Sequence, residues 1–549
     1  MPKLEVSNEL STPSRPSIMM EPSRKRVAVI GGGSSGIVSI AQLKLEGIEP
    51  ICFEKTGNFG GTWYYREETM EGVASIMPTT IINHSKEMGA WSDFPPRKEY
   101  SNYMRHNEML QYITDYAEYF DCLRHIQYNK EVTEVKRSID YEDTGRWIVS
   151  VRDNLTGEEL SDVYDGVMIC TGHINLPKMA IYPGQQHYKG KVMHTHSLKE
   201  VKDFKGQRVL VIGIGCSALD AAVEISSVAK QVYLSTRCGA YIMNRVGPGG
   251  YPIDYCLLRR HFLKHIDFFP IDLCSKFIEH FFLNPKFDYH LYTVKPKFHT
   301  LSKDPILNDQ IGSKLLSGAV IQKGDVEYFT EDGVVFFGEK TPTEIDTVIM
   351  GTGYTWKFPF LEEGVLTKHR GVINLYKCMY PPQLKHSSLV FIGFINPFGP
   401  GFPLGELQCR WAAQVFAGNC KLPSEKKMLK DVKRRHKKNE KRYTPSEIMS
   451  IRVDFLQYMD EIAEQIGAKP NLTKYFFTDP RLFFKLWFGP CLSYQYRLRG
   501  PHKWECARKA IMTCKERMLW PLKNNAVILE TSKFQGHFKA ISEESVIKM

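Results

Sequence analysis

Apolar residues in this chain gather into two stretches with the same internal order. Arg26-Val27-Ala28-Val29-Ile30 is a short β-branched run that stops at a glycine cluster. An apolar stretch from Ile37 to Leu45 follows, and then a second short run, Pro50-Ile51-Cys52-Phe53. The order recurs 182 positions later, counted from Gly31 to Gly213. Gln207 to Ile212 is the first run, Cys216 to Ser226 the long stretch, and Gln231-Val-Tyr-Leu234 the second run. Short β-branched runs around a longer apolar stretch predict strand, helix, strand, the unit of a parallel sheet.

The turns between first strand and helix carry a glycine fingerprint: Gly31-Gly32-Gly33-Ser34-Ser35-Gly36 in one unit and Gly213-Ile-Gly215-Cys216-Ser217-Ala218 in the other. The first glycine allows a tight turn and the second lets a pyrophosphate approach the backbone. The third lets the helix pack close to the sheet, and the helix N-terminus faces the phosphates. Glu54 ends the first unit's second strand, where a carboxylate takes a ribose hydroxyl pair. The second unit has Ser235-Thr236-Arg237 there instead. A guanidinium pairs with a 2′-phosphate that a carboxylate would repel. The expected fold is therefore α/β, two three-layer Rossmann-like dinucleotide-binding domains. The first suits FAD and the second NADPH.

Two further strands end in Thr-Gly, Asp165 to His173 and Asp346 to Tyr354. They resemble each other, as expected of segments crossing between two domains. The expected organisation is an FAD domain split into 25–175 and 340–445, with the NADPH domain, 176–340, inserted. An insertion within the latter spans about 238–318. Residues 1–24, rich in Ser and Pro, read as a disordered extension without the apolar core of a signal peptide. Residues 446–522 read as a helical C-terminal region and 523–549 as a polar tail.

Composition narrows the class. A 549-residue chain with 43% hydrophobic content can bury more than one core. Its 13 cysteines include no Cys-x-x-Cys pair, which reads as reduced thiols in a cytosol-facing protein and makes the Asn83, Asn154 and Asn471 sequons incidental. The net charge of +11 is concentrated: residues 424–442 hold ten Lys/Arg against three acids, a basic helix following Pro423-Ser424. No nucleic-acid motif accompanies it. Aromatics interleaved with cations, Phe268-Phe269 and Phe281-Phe282 in the insertion and Tyr475 to Phe488 near the C-terminus, suit either a buried core with a tunnel wall or a segment lying on a membrane. Arg481, Lys485 and Pro490 interrupt the second run, so no transmembrane helix is expected.

Several segments together resemble the flavin-containing monooxygenases of animals, from about Arg26 to Leu522. They are Tyr188-Lys-Gly190-Lys-Val-Met-His194, Gly60-Gly61-Thr62-Trp63, Asn83-His84-Ser85-Lys86-Glu87-Met88 with Asp93-Phe94-Pro95, Thr352-Gly353-Tyr354, and Glu406-Leu-Gln408-Cys-Arg410-Trp411. Cys216 stands where vertebrate members usually have Asn, Ala218 where many have Gly, and Gly351 where the linker usually has Ala.

The resemblance implies FAD at Gly31, Gly32, Gly33, Ser34, Ser35, Gly36, Glu54, Gly61, Thr62, Trp63, Asn83 and His84. It implies NADP at Ile82, Asn83, Gly213, Gly215, Cys216, Ser217, Ala218, Leu219, Asp220 and Arg237, with no metal. Asn83 is the implied catalytic side chain, an amide that donates and accepts without titrating. The implied activity is of the N,N-dimethylaniline monooxygenase type. NADPH reduces the flavin, O2 forms a flavin hydroperoxide, and a soft amine nitrogen or thioether sulfur of a small molecule takes the distal oxygen. His194 is left between domain coupling and catalysis. Peripheral contact with the endoplasmic reticulum membrane and a homodimer are compatible with this reading. Baeyer–Villiger ketone oxygenation, an uncoupled NADPH oxidase making hydrogen peroxide, and a nucleotide-binding redox sensor stand as alternatives. A flavin disulfide reductase is disfavoured, because residues 55–95 contain no cysteine.

Overall fold

The computed structural model describes residues 24–285, 287–369 and 372–531. The expected N-terminal extension and most of the C-terminal tail lie outside these residues. Arg26–Ile30 is the middle strand of a five-stranded parallel sheet ordered Leu389–Phe391, Gly166–Ile169, Arg26–Ile30, Glu49–Phe53, Ile126–Gln127. Its side chains alternate between two cores, as a strand buried on both faces must. Val27 and Val29 join the helices Ser34–Leu45 and Phe402–Phe416, while Ala28 and Ile30 meet an antiparallel meander of Lys130–Arg137, Trp147–Asp153 and Glu159–Tyr164.

The second unit repeats the three layers. Its parallel sheet runs Val320–Lys323, Gln231–Ser235, Arg208–Ile212, Thr347–Met350, Lys191–His194. Val209 and Val211 face the helix Cys216–Ile225, and Leu210 and Ile212 face the meander Val326–Phe329, Gly333–Phe336, Thr343–Glu344.

Three expectations about organisation change. A division at 340 would cut the second sheet, because Thr347–Met350 hydrogen-bonds between Arg208–Ile212 and Lys191–His194; the chain leaves this unit only after Gly351. Residues 446–522 are not a separate region. Leu456, Ile462, Leu486, Trp504 and Ile511 are buried in the first unit's largest core. The 238–318 insertion is shared, with Leu258 and Leu263 in that core and Tyr289, Val294 and Ile311 in the second. The basic helix forms as Glu425–Arg442 and packs through Met428 and Val432. Several of its cations are engaged: Arg435 with Glu461 at 2.7 Å, and Lys438 and Arg442 with Asp454 at 3.0 and 2.6 Å. Among the described residues no helix is long and apolar enough to cross a membrane.

Candidate functional site

The two fingerprints sit at the C-terminal ends of the two parallel sheets, where open α/β sheets bind ligands. Gly31 has φ +105°, and a Cβ there would lie 2.9 Å from the Cys170 carbonyl oxygen; Gly213 has φ +120°, and its Cβ would lie 2.3 Å from the Gly351 carbonyl oxygen. Each glycine thus turns the chain directly against the neighbouring strand end, a place only glycine tolerates. The helices Ser34–Leu45 and Cys216–Ile225 start after Gly33 and Gly215 with no side-chain cap. Their first backbone N–H groups are left for an external acceptor.

The first fingerprint is lined by the Gly61–Trp63 turn. Gly60 N–H donates to the Gly32 carbonyl at 2.9 Å, and a Cβ on Gly61 would fall 2.9 Å from Gly33 Cα. This bare backbone cradle fits a pyrophosphate that must touch main chain. Glu54 is buried and accepts from Gly32 N–H at 2.7 Å and from Thr56 N–H and Oγ1–H at 2.9 and 2.7 Å. Three acceptor positions are used, and a carboxylate offers about four, so one remains for a hydroxyl. Ser35 lies beside Gly393, whose absent side chain makes room for its Oγ.

Asn83 lies against the second fingerprint. Its Nδ2 donates to Cys216 Sγ at 3.4 Å, and its Oδ1 accepts from Arg245 Nη2 at 2.9 Å. The guanidinium therefore fixes which way the amide faces: oxygen toward the insertion, NH2 toward the second fingerprint. Arg245 is held by Asp309 at 2.8 Å, and its carbonyl accepts from Tyr103 Oη–H at 2.8 Å. The residues after Asn83 are anchored one by one. Ser85 N–H and Oγ–H donate to Asp254 at 2.6 and 3.1 Å, and the buried Lys86 ammonium donates to the Lys98 and Tyr100 carbonyls at 2.6 Å each. Glu87 accepts from Tyr494 Oη–H at 2.9 Å and from Arg517 at 3.0 Å. Burial pushes Asp254 up to about 6 and Lys86 down to about 8.

His84 packs edge-on to Phe402 at 5.9 Å, with Trp63 and Trp91 on the same ring at 6.4 and 5.6 Å. Desolvation lowers its imidazole to about 4, so it is neutral near pH 7. Asp93 and Glu406 share the buried Arg497 guanidinium at 2.6 and 2.9 Å, which ties the segment after His84 to the helix Phe402–Phe416. The late Glu406-to-Trp411 block thus braces the site from behind.

In the second unit, Asp220 is raised to about 6, chiefly by burial, and accepts from Asn308 Nδ2–H at 3.0 Å. Cys216 is pushed up to about 11 by burial, so it is a neutral thiol. Arg237 is exposed. Lys303 stands near it; its ammonium is lowered mainly by desolvation, and the Arg237 charge adds to this. Ile82, Ala218 and Leu219 are buried in the two cores, so only their main chain can face a nucleotide.

His194 is resolved by its hydrogen bonds. Nδ1 accepts from His196 N–H at 3.0 Å, so Nε2 carries the proton and donates to the Gly353 carbonyl at 3.0 Å. Burial lowers this imidazole to about 4. Tyr188 Oη–H donates to the Ile345 carbonyl at 3.0 Å, and a Cβ on Gly190 would press on the Asp346 carbonyl. Tyr188 and Gly190 contact the start of the neighbouring strand of their own sheet, and only the His194 contact, at Gly353, reaches the crossing segment beyond it.

Sequence reasoning did not find Arg245, Asp254, Lys303 or Phe402. The first three come from the insertion, which carries no motif. Phe402 could have been flagged only as an aromatic close before the Glu406 block.

A flavin-binding monooxygenase-like family profile matches residues 24–546. The chain is 42% identical over 518 residues to flavin-containing monooxygenase 5 of Mus musculus, covering 93% of this chain and 95% of that one. It is 42% identical over 505 residues to dimethylaniline monooxygenase [N-oxide-forming] 2 of Cavia porcellus, covering 92% and 94%. Among solved structures, S-allyl-L-cysteine S-oxygenase of Allium sativum superposes with a TM-score of 0.61 at 24% identity, over 85% of this chain and 96% of that one.

Proposed function

The chain belongs to the flavin-binding monooxygenase-like family, and on that premise we propose an NADPH- and O2-dependent flavin monooxygenase that oxygenates soft nitrogen or sulfur centres of small molecules. The observation that carries this reading is Asn83, its amide oriented by Arg245 and donating to Cys216 of the second fingerprint, while its neighbour His84 packs on the Phe402 ring that Trp63, beside the first fingerprint, also meets. A nicotinamide on one fingerprint and a flavin on the other would meet at this side chain. A relative named for N-oxide formation favours a heteroatom over a ketone as acceptor.

FAD would be held by Gly31 to Gly36, Glu54, Gly61 to Trp63 and His84. NADPH would be held by Gly213 to Asp220, Arg237 and the main chain at Ile82. A bound flavin supplies the two-electron and oxygen-activating chemistry that no side chain of the site offers. The protein's own work is placement and dryness. Backbone N–H groups at the two helix starts take the pyrophosphates. Glu54 accepts a ribose hydroxyl, and Arg237 with Lys303 takes a 2′-phosphate. Asn83 offers an NH2 whose direction Arg245 sets, with no proton to lose. Neutral His84, Phe402, Trp63 and Trp91 form an aromatic wall that keeps water and protons away from reactive oxygen.

The test mixes purified protein with NADPH, O2 and either a tertiary amine or a thioether. One N- or S-oxide per NADPH is expected. Hydrogen peroxide alone would replace this reading with an uncoupled oxidase, and ester formation from a ketone with a Baeyer–Villiger enzyme. Asn83→Ala should keep flavin absorbance and lose coupled oxygenation; unchanged product per NADPH would remove Asn83 from the mechanism.

We also infer contact with an anionic membrane surface. The helices Arg260–Phe268 and Pro480–Phe488 meet, the His261 ring lying 5.2 Å from that of Phe488. Phe268, Phe277, Phe281, Phe477 and Phe484 stay exposed around them, with Lys264, Lys276 and Arg481 also exposed. Aromatics with cations on short helices suit the headgroup boundary. Co-sedimentation with anionic liposomes tests this, and protein left in the supernatant would overturn it.

A further inference from the structure

Between Trp63 and Asn83 the chain forms neither helix nor extended strand. Its own backbone hydrogen bonds are few, among them Val73 N–H to Met70 O at 3.3 Å and Thr80 N–H to Met77 O at 3.0 Å. A segment with so little internal structure is poorly fixed unless something else holds it. First-unit groups hold its two ends, Arg66 to Thr56 at 2.8 Å and Ile82 N–H to Met104 O at 3.0 Å, and the second unit grips its middle. His196 is buried, and its Nε2–H donates to the Val73 carbonyl at 2.8 Å. The Lys199 ammonium donates to Ser75 Oγ at 2.8 Å and to the Ile76 carbonyl at 3.2 Å, and lies 5.1 Å from the Tyr65 ring centroid. Met77 packs against the second unit's core.

This grip continues the latch described above. His196 N–H is the group that His194 accepts, and His194 in turn holds Gly353. One chain of contacts therefore links the exit from the second unit, the Tyr188–His194 motif and the segment leading to Asn83. We propose that His196 and Lys199 are positioning residues that clamp residues 64–82 across the gap between the units, and so hold Asn83 in register with the second fingerprint and keep water out. The proposal rests on the monooxygenase reading for its catalytic consequence, but the clamp itself is a statement about this chain's residues. Released, the segment would loosen while both fingerprints stayed intact. NADPH would still be consumed, and a larger share of its electrons would end in hydrogen peroxide.

The experiment compares wild type with His196→Ala/Lys199→Met and with His196→Gln, whose Nε2 can take the place of the imidazole Nε2 that donates to Val73. Hydrogen–deuterium exchange of residues 64–82 is the readout independent of turnover. It should rise in the double variant, while exchange across Arg208–Ile212 stays as in wild type. The peroxide formed per NADPH should rise about threefold or more with flavin content nearly unchanged, because misplacement of a positioned group costs rate. His196→Gln should keep most of the wild-type value. Unchanged exchange in residues 64–82 overturns the clamp. So does raised peroxide accompanied by flavin loss and no rescue by Gln, which marks a general structural defect. If wild type itself makes no oxygenated product, the functional reading fails, and the exchange data still decide the clamp.

Discussion

The two nucleotide units differ most where a helix must come close to a sheet. In the first, Gly36 sits so near the turn that a Cβ there would lie 1.9 Å from the Gly31 carbonyl oxygen. In the second, the matching position is Ala218, fully buried. There a different glycine gives the helix room. Gly351 ends the strand beside Arg208–Ile212, as Cys170 ends the strand beside Arg26–Ile30, and a Cβ on Gly351 would lie 2.5 Å from Ala218 Cβ. One unit keeps the helix bare and a side chain on the strand; the other keeps a methyl on the helix and the strand bare. Gly36 clears the carbonyl of its own turn, whereas Gly351 clears the methyl of Ala218 on the helix. The first glycine of each turn is different, because both Gly31 and Gly213 also need positive φ.

The largest effect should therefore be unequal. Gly36→Ala forces a methyl into backbone that cannot move aside, and a cost of about 3 kcal/mol or more is expected. Its flavin content should collapse. Ala218→Gly loses a methyl and some helix propensity, about 1 kcal/mol. Equal losses of thermal stability would break the comparison. Gly351→Ala should cost about 2 kcal/mol alone, from overpacking against Ala218. Combined with Ala218→Gly, much of that should return, a coupling of about 1 kcal/mol or more between touching residues. Additive losses would mean that the two positions do not compensate.

The second contrast is electrostatic. Glu54 is buried and already ordered by Gly32 and Thr56, whereas Arg237 is exposed at the end of its strand and makes no hydrogen bond or ion pair among the described residues. An acid built into the turn suits a resident ligand, and a free cation suits one that exchanges. Arg237→Ala should raise the KM for NADPH about 10- to 100-fold, the worth of a charge-assisted hydrogen bond, and leave that for NADH almost unchanged. An equal rise for both would separate Arg237 from the 2′-phosphate.

What could be read in the sequence was whatever local chemistry dictates. The glycine turns, the strands beside them and the basic helix are set by neighbours within a few positions, and each forms as expected. The crossing at Thr347–Met350 was misplaced because its pattern repeats that of Gly166–Ile169; only pairing partners far away in sequence reveal which sheet holds it. Arg245 and Asp254 were invisible for the same reason. Their partners, Asn83 and Ser85, lie 162 and 169 positions away, and the insertion that carries them has no period or motif to mark them. His194 was ambiguous until its two ring nitrogens were seen to be spent on His196 and Gly353.

The smallest expected effect concerns the junction rather than either unit. Glu54 and Asp254 are both buried acids that accept a backbone N–H and a hydroxyl, but Asp254 does so from another part of the chain, at Ser85. Desolvation holds Asp254 at about 6, above the ordinary aspartate value. Between pH 4 and pH 6 the folded chain thus keeps a proton that the unfolded chain has lost. The penalty for burying the carboxylate grows as pH rises through this window and is complete above it. Asp254→Asn does not titrate and can still accept from Ser85. Its stability relative to wild type should therefore increase by about 1 kcal/mol between pH 5 and pH 7.5. Thermal midpoints of both proteins at the two pH values measure this. A gap that does not change with pH would mean that Asp254 stays ionised throughout, and that the Ser85 contacts offset its burial as fully as those of a carboxylate inside one unit.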